Sequence, residues 1–136
     1  VIPQLMKKIF ENSDKFSKDR VDIEIQGTGK ETRSFCFIED AVRGIILVND
    51  YGQSGEVYNI GSDNEISIER LIKKISNIID IEINIIKGNK ASGGTLRRCP
   101  NIDKIKGLGY KIEYKLDEGV DKTINWYKEK LLIGLK

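Results

Sequence analysis

Apolar residues recur at helical spacing near the start of the chain. Pro3 stands where proline suits a first turn, and Leu5, Met6, Ile9 and Phe10 follow until Asn12, Ser13 and Asp14 break the pattern. Beyond the charged stretch 15–20, Val21, Ile23 and Ile25 alternate with Asp22 and Glu24, the mark of a half-buried strand that stops at Gly27 and Gly29. A second short strand is expected over about 34–38. Glu39 and Asp40 then place negative charge in the first turn of a helix, where the backbone dipole favours it, and Ala41, Val42, Ile45 and Ile46 are its expected buried face. Residues 49–55 form a polar loop, 56–60 read as a strand, and 59–64 as its turn-rich exit. Ser67 can cap the next helix, with Glu69 in its first turn and Ile68, Leu71, Ile72, Ile75, Ile78 and Ile79 on one apolar stripe. Ile81, Ile83 and Ile85 alternate with Glu82 and Asn84 as a further strand, after which 88–94 is too polar and glycine-rich to pack and is the expected mobile segment. A short helical turn around 103–106 ends at Gly107 and Gly109. Asp117 opens a last helix with Val120, Ile124, Tyr127 and Leu131 along one face. Strands and helices alternate, so the expected class is α/β, with mixed short strands and helices.

Composition narrows the picture. The 136 residues suit one domain, and 39% hydrophobic against 32% charged residues indicate a folded, soluble chain rather than a disordered one. The opening Val1-Ile2-Pro3, with no methionine and an immediate periodic pattern, suggests that the sequence begins inside a larger protein. Twenty-three basic and twenty-one acidic residues leave a net charge of +2, too little for the field that nonspecific nucleic-acid or membrane binding requires. No apolar run approaches the roughly 18 residues of a membrane span, and the start has no signal-peptide layout. Cys36 and Cys99 are far apart and without CxxC spacing, which suits a reducing cytoplasm. There is no histidine, so a histidine triad or histidine zinc site within this chain is excluded.

Few residues carry candidate chemistry. Gly27-Thr28-Gly29-Lys30-Glu31-Thr32 superficially suggests a triphosphate-binding loop. That loop needs glycine five positions before its Gly-Lys pair and a hydroxyl after it, and here Glu24 and Glu31 stand in those places. A hairpin turn with glycines at positive backbone angles is the better reading. Arg33 follows this turn, and Arg97 and Arg98 follow Gly93-Gly94. A planar guanidinium can hold two phosphate oxygens in parallel, so arginines beside glycine turns suggest a diphosphate clamp; solvated charges or salt-bridge partners are the plain alternative. Glu39 and Asp40 read as helix-start residues, Trp126 and Tyr127 as core, and Cys36 between Phe35 and Phe37 as a buried small residue.

The ordered motifs are more specific than any single residue. The run Gly27-x-Gly29-x-x-Thr32-Arg33-Ser34-Phe35-Cys36-Phe37-Ile38-Glu39-Asp40-Ala41-Val42-x-Gly44 is followed by Gly55-Glu56-Val57-Tyr58-Asn59-Ile60-Gly61 and Ser67-Ile68-Glu69. Then come Arg97-Arg98-Cys99-Pro100-Asn101-Ile102-Asp103-Lys104, Leu108-Gly109-Tyr110, Leu116-Asp117-Glu118-Gly119 and Thr123-Ile124-Asn125-Trp126-Tyr127. Together they resemble the C-terminal part of NAD-dependent nucleotide-sugar epimerase/dehydratases, which are extended short-chain dehydrogenases/reductases. The resemblance implies a Rossmann-type fold of which residues 1–136 are the substrate-binding C-terminal region, without the N-terminal cofactor domain. It implies that Arg33 and Arg98 contact the substrate diphosphate or the adjoining sugar, with Arg97 beside them. It places Val1, Ile2 and Gln4 near the nucleotide base and ribose, and Gln26 where the family usually has an aromatic residue near the base. It also implies a nucleotide-diphosphate sugar as substrate, NAD held by the N-terminal part, a homodimeric parent enzyme and a cytoplasmic location.

What the family needs for catalysis is not in this chain. The residues four after Tyr51, Tyr58, Tyr110, Tyr114 and Tyr127 are Gly55, Ser62, Tyr114, Glu118 and Leu131, so no Tyr-x-x-x-Lys pair occurs, and there is no glycine-rich dinucleotide fingerprint. The expected role is therefore substrate binding, with no catalytic residue here. In the parent enzyme the resemblance implies transient oxidation of the sugar followed by epimerisation, elimination or decarboxylation, a UDP-glucuronate decarboxylase-like member being one form. A non-catalytic sugar-nucleotide-binding module and a protein-interaction domain are the readings from other classes.

Overall fold

A computed structural model of the chain describes residues 1–12, 20–89 and 93–133, the last three by backbone alone. The elements run α1 (Ile2–Asn12), β1 (Arg20–Ile25), β2 (Thr32–Ser34), α2 (Ile38–Tyr51), β3 (Glu65–Ser67), α3 (Ile68–Ile79), β4 (Glu82–Lys87), β5 (Arg97–Arg98), α4 (Asp103–Lys106) and α5 (Leu116–Ile133). β1 pairs in parallel with β4, Val21 opposite Ile83 and Ile23 opposite Ile85. A separate three-stranded sheet has the order β3-β2-β5, β2 antiparallel to β3 and parallel to β5.

The main core forms where the periodic faces meet. Leu5, Met6 and Ile9 of α1, Val21, Ile23 and Ile25 of β1, Leu71, Ile72 and Ile75 of α3, and Val120 and Ile124 of α5 are all buried in one cluster. α3 is framed as its sequence requires. The Ser67 hydroxyl accepts from the Arg70 amide at 3.3 Å, and Asp80 closes the helix in the left-handed region at φ 56°. Its first turn hangs on the glycine turn: the amides of Ile68 and Glu69 donate to the carbonyls of Glu31 and Gly29 at 3.0 and 2.9 Å. Inside that turn the buried Glu31 carboxylate accepts from the amides of Thr28 and Gly29 at 3.2 and 2.9 Å. A carboxylate thus fills the cradle that a phosphate loop would keep open, and the run is a structural turn.

Several expectations are corrected. The second strand ends at Ser34, where its partners β3 and β5 run out, and residue 38 already opens α2. Residues 56–60 are not a strand, because no neighbouring strand pairs with them among the described residues. Their side chains hold them instead: Tyr58 Oη accepts from the Gln53 amide, and Asn59 Nδ2 donates to the Asn101 carbonyl at 3.0 Å. The expected inner face of α2 is largely its outer one. Val42, Ile45 and Ile46 are 44%, 58% and 54% exposed and Ala41 is half-buried, whereas Asp40 and Gly44 are buried. Gly44 faces inward because a second cluster needs the room: a Cβ there would stand 2.5 Å from Ile60 Cγ2 and 3.1 Å from Tyr110 Cε2. That cluster is built on Ile102, Ile105 and Tyr110 with Leu47, Val48 and Ile60 packed against it. Trp126 is exposed, edge-on to the partly buried Tyr127. Ser13, Asp14, residues 90–92 of the expected mobile segment, and the Leu131 side chain lie outside the described residues. Among the described residues no helix is long and apolar enough to cross a membrane.

Candidate functional site

The three arginines singled out by the sequence meet at β2 and β5, and strand geometry sorts them. In the parallel register Thr32 lies opposite Arg97 and Arg33 opposite Arg98. Side chains of paired residues share a face and neighbours along a strand alternate, so Arg33 and Arg98 project from one face and Thr32 and Arg97 from the other.

On the Arg97 face the charge is already satisfied. Glu65 of β3 accepts from Arg97 Nε and Nη2 at 2.9 and 2.7 Å and from the Thr32 hydroxyl at 2.7 Å. The hydrogen bond from Arg97, then that from Thr32, lowers the Glu65 carboxyl below its usual range, and the same carboxylate raises Arg97. This exposed pair joins the three strands and contributes little to stability as an ion pair. The shallow cleft beside Arg97, about 350 Å³, is also lined by Asp63, which pairs with Lys106 at 2.6 Å, and by Asp103, whose carboxylate disfavours a phosphate there.

On the opposite face the arginines are oriented without being neutralised. Arg33 Nη1 donates to the carbonyls of Thr32 and Leu96 at 2.6 and 3.4 Å, and Nη2 to the carbonyl of Thr95 at 3.0 Å. Arg98 Nε donates to the Thr95 hydroxyl at 2.7 Å. Among the described residues neither pairs with a carboxylate. Of the five N–H groups on each guanidinium, three of Arg33 and one of Arg98 are committed among the described residues, which leave the others without a partner. Two adjacent cations with free, forked donors suit a group bearing several anionic oxygens, such as a diphosphate.

The other expected positions are not brought to this pair by any described contact. Gln26 is exposed where β1 enters the glycine turn, and Val1 and Gln4 are exposed at the start of α1. Ile2 packs against the core and lines a cavity of about 50 Å³ with Phe35, Phe37, Tyr114 and Leu116. Small-molecule pockets run to roughly 300–1,000 Å³, so this cavity is too small to hold a nucleotide sugar.

Sequence reasoning missed two residues. Thr95 joins both arginines, and its position in a glycine-rich loop carried no signal of that. Asp40, read as a helix-start charge, is fully buried and accepts from the amides of Glu113 and Tyr114 at 3.0 and 3.2 Å while pairing with Arg43. Nearby, Cys36 Sγ lies 3.6 Å from the Tyr110 hydroxyl. Burial raises both groups above their ordinary values, so thiol and phenol stay protonated.

Comparison with known proteins adds to this geometry. A family model described as "NAD dependent epimerase/dehydratase family" matches residues 1–61. The chain is 33% identical over 112 residues to dTDP-D-glucose 4,6-dehydratase of Homo sapiens, covering 77% of this chain and 32% of that protein. It is 25% identical over 136 residues to probable GDP-L-fucose synthase 1 of Oryza sativa subsp. japonica, covering 100% of this chain and 40% of that protein. Its fold superposes on UDP-glucose 4-epimerase of Thermotoga maritima, solved with UDP-glucose, with TM-score 0.83 and 21% identity, over 96% of this chain and 40% of that one. The chain thus spans well under half the length of the relatives it matches. By its matched segment, its relatives and its α/β fold, this chain belongs to the NAD-dependent epimerase/dehydratase family.

Proposed function

We propose that the chain is the substrate-binding portion of an NAD-dependent nucleotide-sugar epimerase or dehydratase, in which Arg33 and Arg98 hold the diphosphate of the substrate. The observation that carries this reading is their in-register placement on neighbouring strands, facing the same way, with free donors and no carboxylate partner among the described residues. The relatives' names support a nucleoside-diphosphate sugar as the substrate class. Anchoring the diphosphate fixes where the sugar lies, which is catalysis by positioning.

The residues of this chain do not fit NAD. They include neither a dinucleotide fingerprint nor a Tyr-x-x-x-Lys pair, so no redox or proton-transfer step is assigned to them. In this reading the cofactor is held by polypeptide beyond these residues, and that polypeptide packs on the outer face of α2. Ile38, Val42 and Ile45 form an apolar stripe there, and Val57, in a segment with strand-like sequence and no strand partner among the described residues, is 80% exposed. An exposed apolar stripe suits a layer continued by the remainder of the enzyme, for which the length of the relatives leaves room.

The test is a titration of the complete enzyme and its Arg98→Ala variant with UDP-, dTDP-, GDP- and CDP-sugars and with NAD. Weaker sugar-nucleotide binding with unchanged NAD affinity is expected. Unchanged sugar-nucleotide affinity in the variant would remove Arg98 from the site.

A further inference from the structure

We infer that Thr95 is the positioning residue of the arginine pair, an inference that rests on the diphosphate reading above. It alone among the described residues contacts both guanidinium groups, through its carbonyl to Arg33 Nη2 and its hydroxyl to Arg98 Nε. Its own place is fixed from the next residue, where the Leu96 carbonyl accepts the Thr32 amide of β2 at 2.8 Å and Arg33 Nη1 at 3.4 Å. The loop ahead of β5 is therefore registered on the strand that carries Arg33.

The chemistry of the acceptor matters as much as its position. Arg97 is oriented by a carboxylate, Glu65, which also cancels its charge. Arg98 is oriented by a hydroxyl, which takes one N–H and leaves the positive charge and the other donors intact. A long, flexible cation held before the ligand arrives loses less conformational freedom on binding, which strengthens binding without adding a contact. A threonine at this point thus separates orientation from neutralisation, and an aspartate or glutamate would not.

The experiment compares Thr95→Val, which keeps the shape and the carbonyl but loses the hydroxyl, with Thr95→Ser, which keeps the hydroxyl. Each is made in the complete enzyme, alone and with Arg98→Ala. Binding of UDP, dTDP, GDP and CDP is titrated, NAD affinity is the control, and KM and kcat for the sugar nucleotide are measured. Thr95→Val is expected to weaken diphosphate binding about five- to tenfold, less than a direct charge-assisted hydrogen bond to the ligand because it removes orientation only, and to raise KM with little change in kcat. Thr95→Ser is expected within about twofold of the parent, and Thr95→Val is expected to cost nothing further once Arg98 is alanine. Normal binding by Thr95→Val beside weak binding by Arg98→Ala overturns the role of Thr95 and leaves the clamp standing. A Thr95→Ser defect equal to that of Thr95→Val, or a loss that persists in the Arg98→Ala background, also overturns it. Normal binding by Arg98→Ala overturns both readings.

Discussion

Replacing Asp40 with alanine removes the acceptor that fastens residues 113 and 114 to the first turn of α2. The carboxylate is fully buried and receives two backbone amides, at 3.0 and 3.2 Å, as well as the Arg43 guanidinium. Each amide left without a partner costs about 1–3 kcal/mol. The ion pair adds less, because the Arg43 side chain is 35% exposed and keeps Glu113 at 3.2 Å. The expected loss is about 2–5 kcal/mol, a large share of the roughly 5–15 kcal/mol that stabilises a domain. Asp40→Asn keeps one oxygen acceptor, so about half that loss is expected. Urea titration reads the difference directly: with a slope of about 1–3 kcal/mol per M, the midpoint of the alanine variant should fall by about 1–2 M while the slope is unchanged. A midpoint within about 0.3 M of the parent would mean that the two amides find other partners at no cost and that Asp40 does not fasten them. Equal damage from Asn and Ala would refute the assignment of the loss to acceptors rather than charge.

Three further outcomes follow from other parts of the molecule. Gly44→Ala should lower stability by about 1–2 kcal/mol in thermal melts, because crowding against Ile60 and Tyr110 exceeds the roughly 1 kcal/mol gained in helix propensity; a stabilised variant would contradict the packing. The Glu31 carboxyl is lowered by its own backbone amide, then by that of Thr28, so its contribution is present above the unfolded value of about pH 4.3 and is lost as pH falls through the lower folded value. Glu31→Gln should therefore flatten the acid end of a Tm-against-pH curve below about pH 4.3, and an unchanged acid limb would count against the turn as described. Ile45→Lys, on the open stripe of α2, should destabilise the complete enzyme by more than about 1.5 kcal/mol if the stripe is covered there; a change within about 0.5 kcal/mol would mean that it faces water.

How far the sequence reached depends on whether each signal was local. α3 was legible because its stripe, its Ser67 cap and its length all lie within one stretch of chain. α2 was located, although it runs to Tyr51 into the expected loop 49–55, but turned the wrong way round. Apolar spacing reports a stripe without reporting what it meets, and the inward side is set by Asp40 and Gly44, whose partners lie some seventy and sixteen residues further on. Residues 56–60 have a strand's composition, but a strand needs a neighbour to pair with, and that is not a local property. The arginines were legible from their places beside glycine turns and then from the ordered motifs, whereas their sorting onto two faces follows from the pairing of β2 with β5. Thr95 had no signal of its own, since its role exists only once both arginines have converged on it.

If Arg33 and Arg98 together hold a diphosphate, the site must distinguish nucleoside diphosphates from monophosphates. UMP with UDP, dTMP with dTDP, and GMP with GDP are titrated against the complete enzyme and the Arg33→Ala/Arg98→Ala double variant. For whichever base binds, the parent should prefer the diphosphate by at least about tenfold, as even one charge-assisted hydrogen bond supplies about 1.5 kcal/mol. The double variant should lose that preference while its NAD affinity is unchanged. An undiminished preference for the diphosphate in the double variant would remove both arginines from the diphosphate site.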